Sequence, residues 1–263
     1  IYYLALGKSF RTHLYSRIIQ HHTDHCVLTA ALKSHHKDHF IGLERTQNGD
    51  RMMKLDKETV TSIAPITKLM PLQLMSVDSY RYFSDGPKQR RAFLDWGLFH
   101  VEHDFLDIWQ QFNRVLKQRN AALKEKYPRY EIETWNNTFV TLSNKLDHLR
   151  KQYVAGFQPI YNRITGGLLP YNNIEIRYKR GWKKDISLEQ ILEEQFHRDS
   201  MYGSTQNGPH RADLQLYVEG TPADDLLSQG QQKLAAYALH LTQGILFKEQ
   251  TDRAPIYLVD DLP

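Results

Sequence analysis

The sequence predicts an α/β protein in which strand-forming stretches at both ends flank a long helical middle. Three observations predict it. Residues 26–32, 40–45 and 51–55 are short strand-like runs, with Asn48-Gly49 between the last two. Asn-Gly between extended runs signals a hairpin, because both residues tolerate positive φ. From about residue 88 to 164, apolar residues recur at helical spacing. Past residue 200 the strand signal returns, ending in Ile256-Tyr257-Leu258-Val259.

Each element follows in order. Ile1 to Leu6 reads as the end of a helix stopped by Gly7. After the three strands, a short helix is expected over 61–68 and a strand over 72–75. Gly86-Pro87 marks the change of texture. Phe105, Ile108, Phe112, Val115 and Leu116 lie on one helical face, and Pro128 forces a turn. Trp135, Phe139, Leu142, Leu146, Leu149 and Tyr153 then repeat at 4, 3, 4, 3, 4, a heptad-like stripe that needs a partner helix. The preceding helix, folded back across the turn, supplies it, giving an antiparallel helical arm that ends at Gly166-Gly167. Beyond it, strands are expected over 173–178, 213–218 and 256–259, and helices over 188–197 and 230–248. The expected division is a β-rich lobe at 1–85, a helical arm at 86–199 and a final segment at 200–263.

Composition narrows the function classes. The chain has 263 residues and a net charge of +4, a mild bias that permits a polyanionic partner. A single cysteine, Cys26, excludes an intrachain disulfide and a cysteine-rich zinc site. No apolar run reaches the roughly 18 residues of a membrane-spanning helix.

Two motifs carry chemistry. Leu227-Ser228-Gln229-Gly230-Gln231-Gln232 opens an amphipathic helix. A hydroxyl, an amide and free backbone N–H groups at the positive end of a helix suit a phosphate. About 25 residues later, a four-residue apolar run leads into Asp260-Asp261. Carboxylates at the end of a buried strand can hold Mg²⁺ and orient a water. Each motif alone is commonly a helix cap or a strand end. Together, in this order, they resemble the signature and Walker B of an ABC-type ATPase head.

Further segments narrow the resemblance. Gly86-Pro87-Lys88-Gln89-Arg90-Arg91-Ala92-Phe93-Leu94-Asp95, Leu116-Lys117-Gln118-Arg119-Asn120, Gly208-Pro209-His210-Arg211-Ala212-Asp213-Leu214 and Ser9-Phe10-Arg11 stand in the order found in the RecF family. The chain is therefore similar to these bacterial DNA replication and repair ATPases. The resemblance implies an α/β, ABC-type P-loop ATPase head with an inserted antiparallel helical arm. It implies ATP and Mg²⁺ as cofactors. Implied partners are DNA at single-strand gaps and adjacent duplex, RecR and RecO, and a second copy in an ATP-dependent homodimer, with no membrane partner. A cytoplasmic role in DNA repair, recombination and the SOS response follows. The family's Walker A loop, G-x-x-G-x-G-K-[ST], occurs nowhere here. The expectation is of a fragment, with that loop before Ile1 and an acidic loop and a histidine after Pro263, and inactive alone.

By the same resemblance, Ser228, Gly230 and Gln231 would reach the γ-phosphate on a second subunit, and Gln229 replaces the first glycine of the generic signature. Asp260 matches the Mg²⁺-holding aspartate. Asp261 stands where many relatives of this class carry a catalytic glutamate, and its shorter side chain implies slow hydrolysis or a water held at longer reach. Gln73 and Asp78 both lie near the expected glutamine loop, and the sequence does not choose between them.

Other residues favour structural readings. The seven histidines before residue 40 (His13, His21, His22, His25, His35, His36 and His39) have irregular spacing and no completing acid cluster. Arg90, Arg91, Lys117 and Arg119 are candidate DNA contacts, against internal pairing for the first two and a solvated helical face for the others. His210 is expected to be structural. The rival functional reading is a non-catalytic basic helical DNA-binding or coiled-coil interaction protein. A transporter-type ABC subunit is the third, disfavoured by the long heptad stripe.

Overall fold

The computed structural model describes residues 1–33, 37–76, 85–171 and 173–260. Asp78, Asp261, His35 and His36 lie outside the described residues. The chain forms two compact units. One comprises residues 1–76 with 254–263; the other comprises 77–253.

The first unit opens with helix α1 (Tyr2–Leu6), ended by Gly7 in the left-handed region at φ 64°. Strands β1 (His25–Lys33), β2 (Asp38–Thr46), β3 (Arg51–Leu55) and β4 (Glu58–Thr59) form an antiparallel sheet in sequence order. The predicted hairpin is present, with Gly49 at φ 91° between β2 and β3. Alternation along β2 turns Ile41, Leu43 and Arg45 inward. Ile41 and Leu43 pack with Leu4, Met53 and Ile66, the last from helix α2 (Ala64–Leu69). Arg45 shares that face because its guanidinium has buried acceptors. It donates to the Tyr3 hydroxyl, the Gly49 carbonyl and the Gly7 carbonyl, and lies over the Tyr15 ring. Strand β5 (Leu72–Ser76) pairs in parallel with β9 (Ile256–Asp260), Ser76 opposite Asp260. Leu72, Gln73 and Met75 of β5 are buried, whereas β9 alternates and leaves Tyr257 and Val259 exposed on one face.

The second unit is mainly helical. Helices α3 (Pro87–Val101), α4 (Phe105–Lys124), α5 (Arg129–Glu133) and α6 (Asn136–Thr165) precede strand β6 (Ile174–Lys179). α4 and α6 pack as the antiparallel pair the stripe predicts. Phe139, Leu142, Leu146 and Tyr153 are buried, and each contributes about 1.5–3 kcal/mol by leaving water. The apolar face continues beyond the predicted stripe through Phe157, Ile160 and Tyr161. There its partner is α10 (Gln229–Thr251), so α6 bridges the arm and the last helix. The Tyr161 hydroxyl donates to the Ala235 carbonyl at 3.2 Å.

The segment expected as one helix over 188–197 is two, α7 (Leu188–Glu194) and α8 (Phe196–Tyr202), broken at Gln195. Strand β7 (Asp213–Val218) lies between β6 and β8 (Thr221–Pro222), antiparallel to both, and a single turn, α9 (Ala223–Leu226), leads to α10.

Residues 203–212, between α8 and β7, are held by arginines. Arg119, fully buried on α4, donates to Asp199 at 2.8 Å, to the Thr205 hydroxyl at 2.6 Å and to Asn136 at 3.0 Å. Asn120, its neighbour, accepts from the Thr205 backbone N–H at 2.8 Å. Arg150 on α6 donates to Asp95 at 2.7 Å and to the Pro209 carbonyl at 2.8 Å. Arg91 reaches the Ala212 carbonyl at 2.7 Å, and Arg90 grips both oxygens of Asp213 at 2.7 and 3.1 Å. Gly208 has φ 138°, and a Cβ there would meet the Phe139 ring at 2.9 Å, so this position requires glycine.

Replacing Arg119 leaves Asp199 buried and unpaired. Arg119→Ala is expected to cost about 3–5 kcal/mol in urea unfolding, whereas Lys117→Ala, exposed on the same helix, stays within about 0.5 kcal/mol. Equal losses would refute the assignment. Burial also pushes His210 and His240 down to about 4. The unfolded chain takes up those protons near pH 6.5 while the folded chain resists them, so folding stability holds above pH 6.5 and drops between 6.5 and about 4 by roughly 3 kcal/mol per histidine. Urea titrations across that window should show a shallower fall for His240→Leu; an identical slope would rule this out.

Candidate functional site

The last helix of the second unit begins at Ser228 for a local reason. Its Oγ accepts from the Gln231 backbone N–H at 3.4 Å, and Gln231 Oε1 accepts from the Ser228 N–H at 3.0 Å. This is a reciprocal capping box. Leu227 is buried just before it, which fixes the entry of the chain. Ser228, Gln229 and Gly230 are exposed, Gln231 is half-buried, and nothing approaches within 4 Å of where a Gly230 Cβ would stand. No acidic residue occupies the first turn. A 23-residue helix thus presents its positive end, with a hydroxyl, an amide and a bare backbone, to open space. Ser228, Gly230 and Gln231 share this one turn.

In the first unit, β9 carries Asp260 to the end of the β5–β9 pair. Arg11 places one guanidinium nitrogen 3.1 and 3.2 Å from its two carboxylate oxygens. The side chains are 69% and 32% exposed, so the pair is weak and displaceable. A half-exposed carboxylate at a strand end fits a hard cation such as Mg²⁺. Among the described residues no group of three His, Cys, Asp or Glu could hold a metal. Such an ion would take its remaining oxygens from water and phosphate. Gln73 is buried at 3% exposure in β5, opposite Tyr257. Its alternative, Asp78, and the expected catalytic residue, Asp261, lie outside the described residues.

Of the candidate DNA contacts, Lys117 is exposed. Arg119 is a correction: with no exposed surface and three internal acceptors it cannot reach a phosphate. Arg90 and Arg91 are engaged by Asp213 and Ala212, and burial pulls the Arg91 guanidinium below its ordinary value. His210 donates from Nε2 to the Thr205 carbonyl at 2.8 Å and lies between Phe112 and Phe139, in keeping with a structural role. His39 joins Lys37 on Asp56, which these partners hold well below the usual carboxylate range.

Sequence reasoning missed the Arg11–Asp260 pair, whose partners are 249 residues apart. It also missed that the three internal motifs are one network. The unusual recurrence of arginine beside short polar loops was the available signal.

No family model matches the chain. Curated relatives do. DNA replication and repair protein RecF of Coxiella burnetii (strain Dugway 5J108-111) is 45% identical over 263 residues, covering all of this chain and 74% of that protein. RecF of Pseudoalteromonas translucida is 42% identical, with 73% of its length covered, and RecF of Shewanella halifaxensis 40%, with 72% covered. A solved structure of the recombination mediator protein RecF with ATP, from the RecFOR pathway, superposes at a TM-score of 0.89 with 23% identity, over 99% of this chain and 73% of that one.

Ser228→Ala removes half of the capping box and should lower stability by about 1 kcal/mol, with Ser228→Asp close to neutral. Urea midpoints of the two variants measure this; a neutral alanine would mean that the cap contributes nothing.

Proposed function

From the premise that the chain belongs to the RecF family, with its ABC-type ATPase head and inserted antiparallel helical arm, we propose an ATP-gated DNA-binding protein of replication and repair. ATP joins two heads. The Ser228, Gly230 and Gln231 turn of each copy grips the triphosphate carried by the other. Ser228 Oγ and the first-turn amides donate to the γ-phosphate, where the helix dipole favours negative charge. Asp260 would hold Mg²⁺, which would supply charge neutralisation at the transferring phosphate. Asp261 orients the attacking water with a short side chain, so hydrolysis is slow and times release.

The closed dimer holds duplex beside a single-strand gap, where RecO and RecR join it to load recombinase in the cytoplasm. In these terms the head takes residues 1–85 and 200–263, and the arm 86–199. Lys117 remains a candidate phosphate contact, whereas Gln73, 3% exposed within β5, does not stand in a loop. What supports the reading most is the uncovered helix start at Ser228, with open space beside Gly230. A turn that serves only as a cap has no need of that bare backbone.

Two outcomes are expected. In the full-length protein, Ser228→Arg blocks the turn and should cut ATP-dependent dimerisation about tenfold or more, equivalent to at least about 1.4 kcal/mol, while Mg-ATP binding per protomer is kept. Sedimentation with and without Mg-ATP reads the first and calorimetry the second; unimpaired dimers would defeat the proposal. The 263-residue chain by itself has no phosphate-cradling loop of the G-x-x-G-x-G-K-[ST] type. Calorimetric titration with Mg-ATP should therefore find no micromolar site, and finding one would refute this account of the chain.

A further inference from the structure

A groove in the second unit runs between α6 and the segment that follows β6, with a volume of about 1090 Å³. That is at the upper limit of small-molecule pockets and suits a chain better than a compact ligand. Its floor is Val154 and Ala155 from α6, with Ile176 from β6, nearly covered, beside them. Its wall is the run Lys179-Arg180-Gly181-Trp182-Lys183-Lys184, four cations in six residues. Arg211 stands on the same groove.

The charges are not balanced locally. Arg180 faces Asp147 at 3.6 Å and lies over the Trp182 ring, and Lys151 is bound to Asp147 at 2.6 Å. Asp213 is taken by Arg90. Lys179, Lys183 and Lys184 are exposed, and no carboxylate among the described residues pairs with them. The groove therefore combines an apolar floor with a one-sided row of lysines.

We propose that this groove binds a single strand of nucleic acid, its phosphates on Lys179, Lys183 and Lys184 and its sugars and bases against the apolar floor. Lysines act on phosphate as point charges without reading sequence. Apolar surface beneath a basic wall is the combination that single strands use and duplexes leave uncovered. The proposal rests on the DNA-binding reading above and gives it a location apart from Arg90, Arg91 and Arg119.

The test uses the full-length protein and fluorescence anisotropy with labelled oligothymidylate, labelled duplex and labelled polyglutamate. Lys179→Glu, Lys183→Glu and Lys184→Glu combined should weaken oligothymidylate binding about tenfold or more, and lower the log–log salt slope by about 2, the value for three phosphate contacts on a single strand. Ala155→Gln puts a polar chain on the floor without changing charge or adding an aromatic face for bases to stack on, and should weaken the same binding about threefold. Thermal melts confirm that both variants fold. Unchanged oligothymidylate affinity in either folded variant overturns the proposal. If the wild-type protein binds duplex but not oligothymidylate, the proposal fails while the DNA-binding reading stands; if it binds neither, both fail. Polyglutamate binding that depends on these lysines, with oligothymidylate unaffected, would assign the groove to an acidic peptide instead.

Discussion

The second unit depends on arginines that clamp an irregular segment to a helical layer. Residues 203–212 lie between α8 and β7, and their carbonyls and amides need partners. Arg119, Arg150 and Arg91, on α4, α6 and α3, supply donors to Thr205, Pro209 and Ala212, while Arg90 fixes Asp213 at the first residue of β7. Guanidinium suits this task because one planar group satisfies several acceptors in fixed directions. The arrangement carries a stability risk, since each buried cation costs several kcal/mol if its partner is lost. It sets where β7 starts, and through β8 and α9 it sets where the Ser228 turn emerges.

This constraint explains which parts of the molecule could be read in the sequence. Strand 213–218 and the 48–49 hairpin were legible because local patterning and turn chemistry both specify them. The stripe from Trp135 to Tyr153 was legible as a helix face with a partner. Its continuation onto α10 was not, because periodicity identifies an apolar face without identifying what covers it. The break at Gln195 escaped because no Gly or Pro marks it. Arg119 was misassigned for a related reason: a cation at helical spacing looks the same whether it faces water or a buried Asp199. Only the fold brings in an acid 80 positions away.

The signature turn shows the reverse case. Ser228 was legible as a helix cap, while its reciprocal partner Gln231 was read only as an amide for phosphate, although a glutamine three positions after a serine is itself a capping pattern. In this structure both side chains are turned on their own backbone. The hydroxyl that caps the helix is also the group a phosphate would take. A phosphate there would exchange one acceptor for another at the Gln231 N–H. The turn is complete by itself, with its hydroxyl and amide satisfied by its own backbone.

The acidic strand end follows the same logic with opposite charge. Asp260 has a cation beside it, and that cation is an exposed arginine on a flexible stem. The pair contributes about 1 kcal/mol at most, so a divalent ion bound there would displace it at little cost. Arg11 also lies over the Phe10 ring, which meets Tyr2 edge-on, so the arginine is tethered to α1 even when its carboxylate is taken. The positive charge then remains near the strand end, where a polyphosphate would need it. The Ser228 turn and the Asp260 strand end are each held by interactions weak enough to exchange, whereas the Arg119 and Arg150 clamps of the second unit are buried and are not.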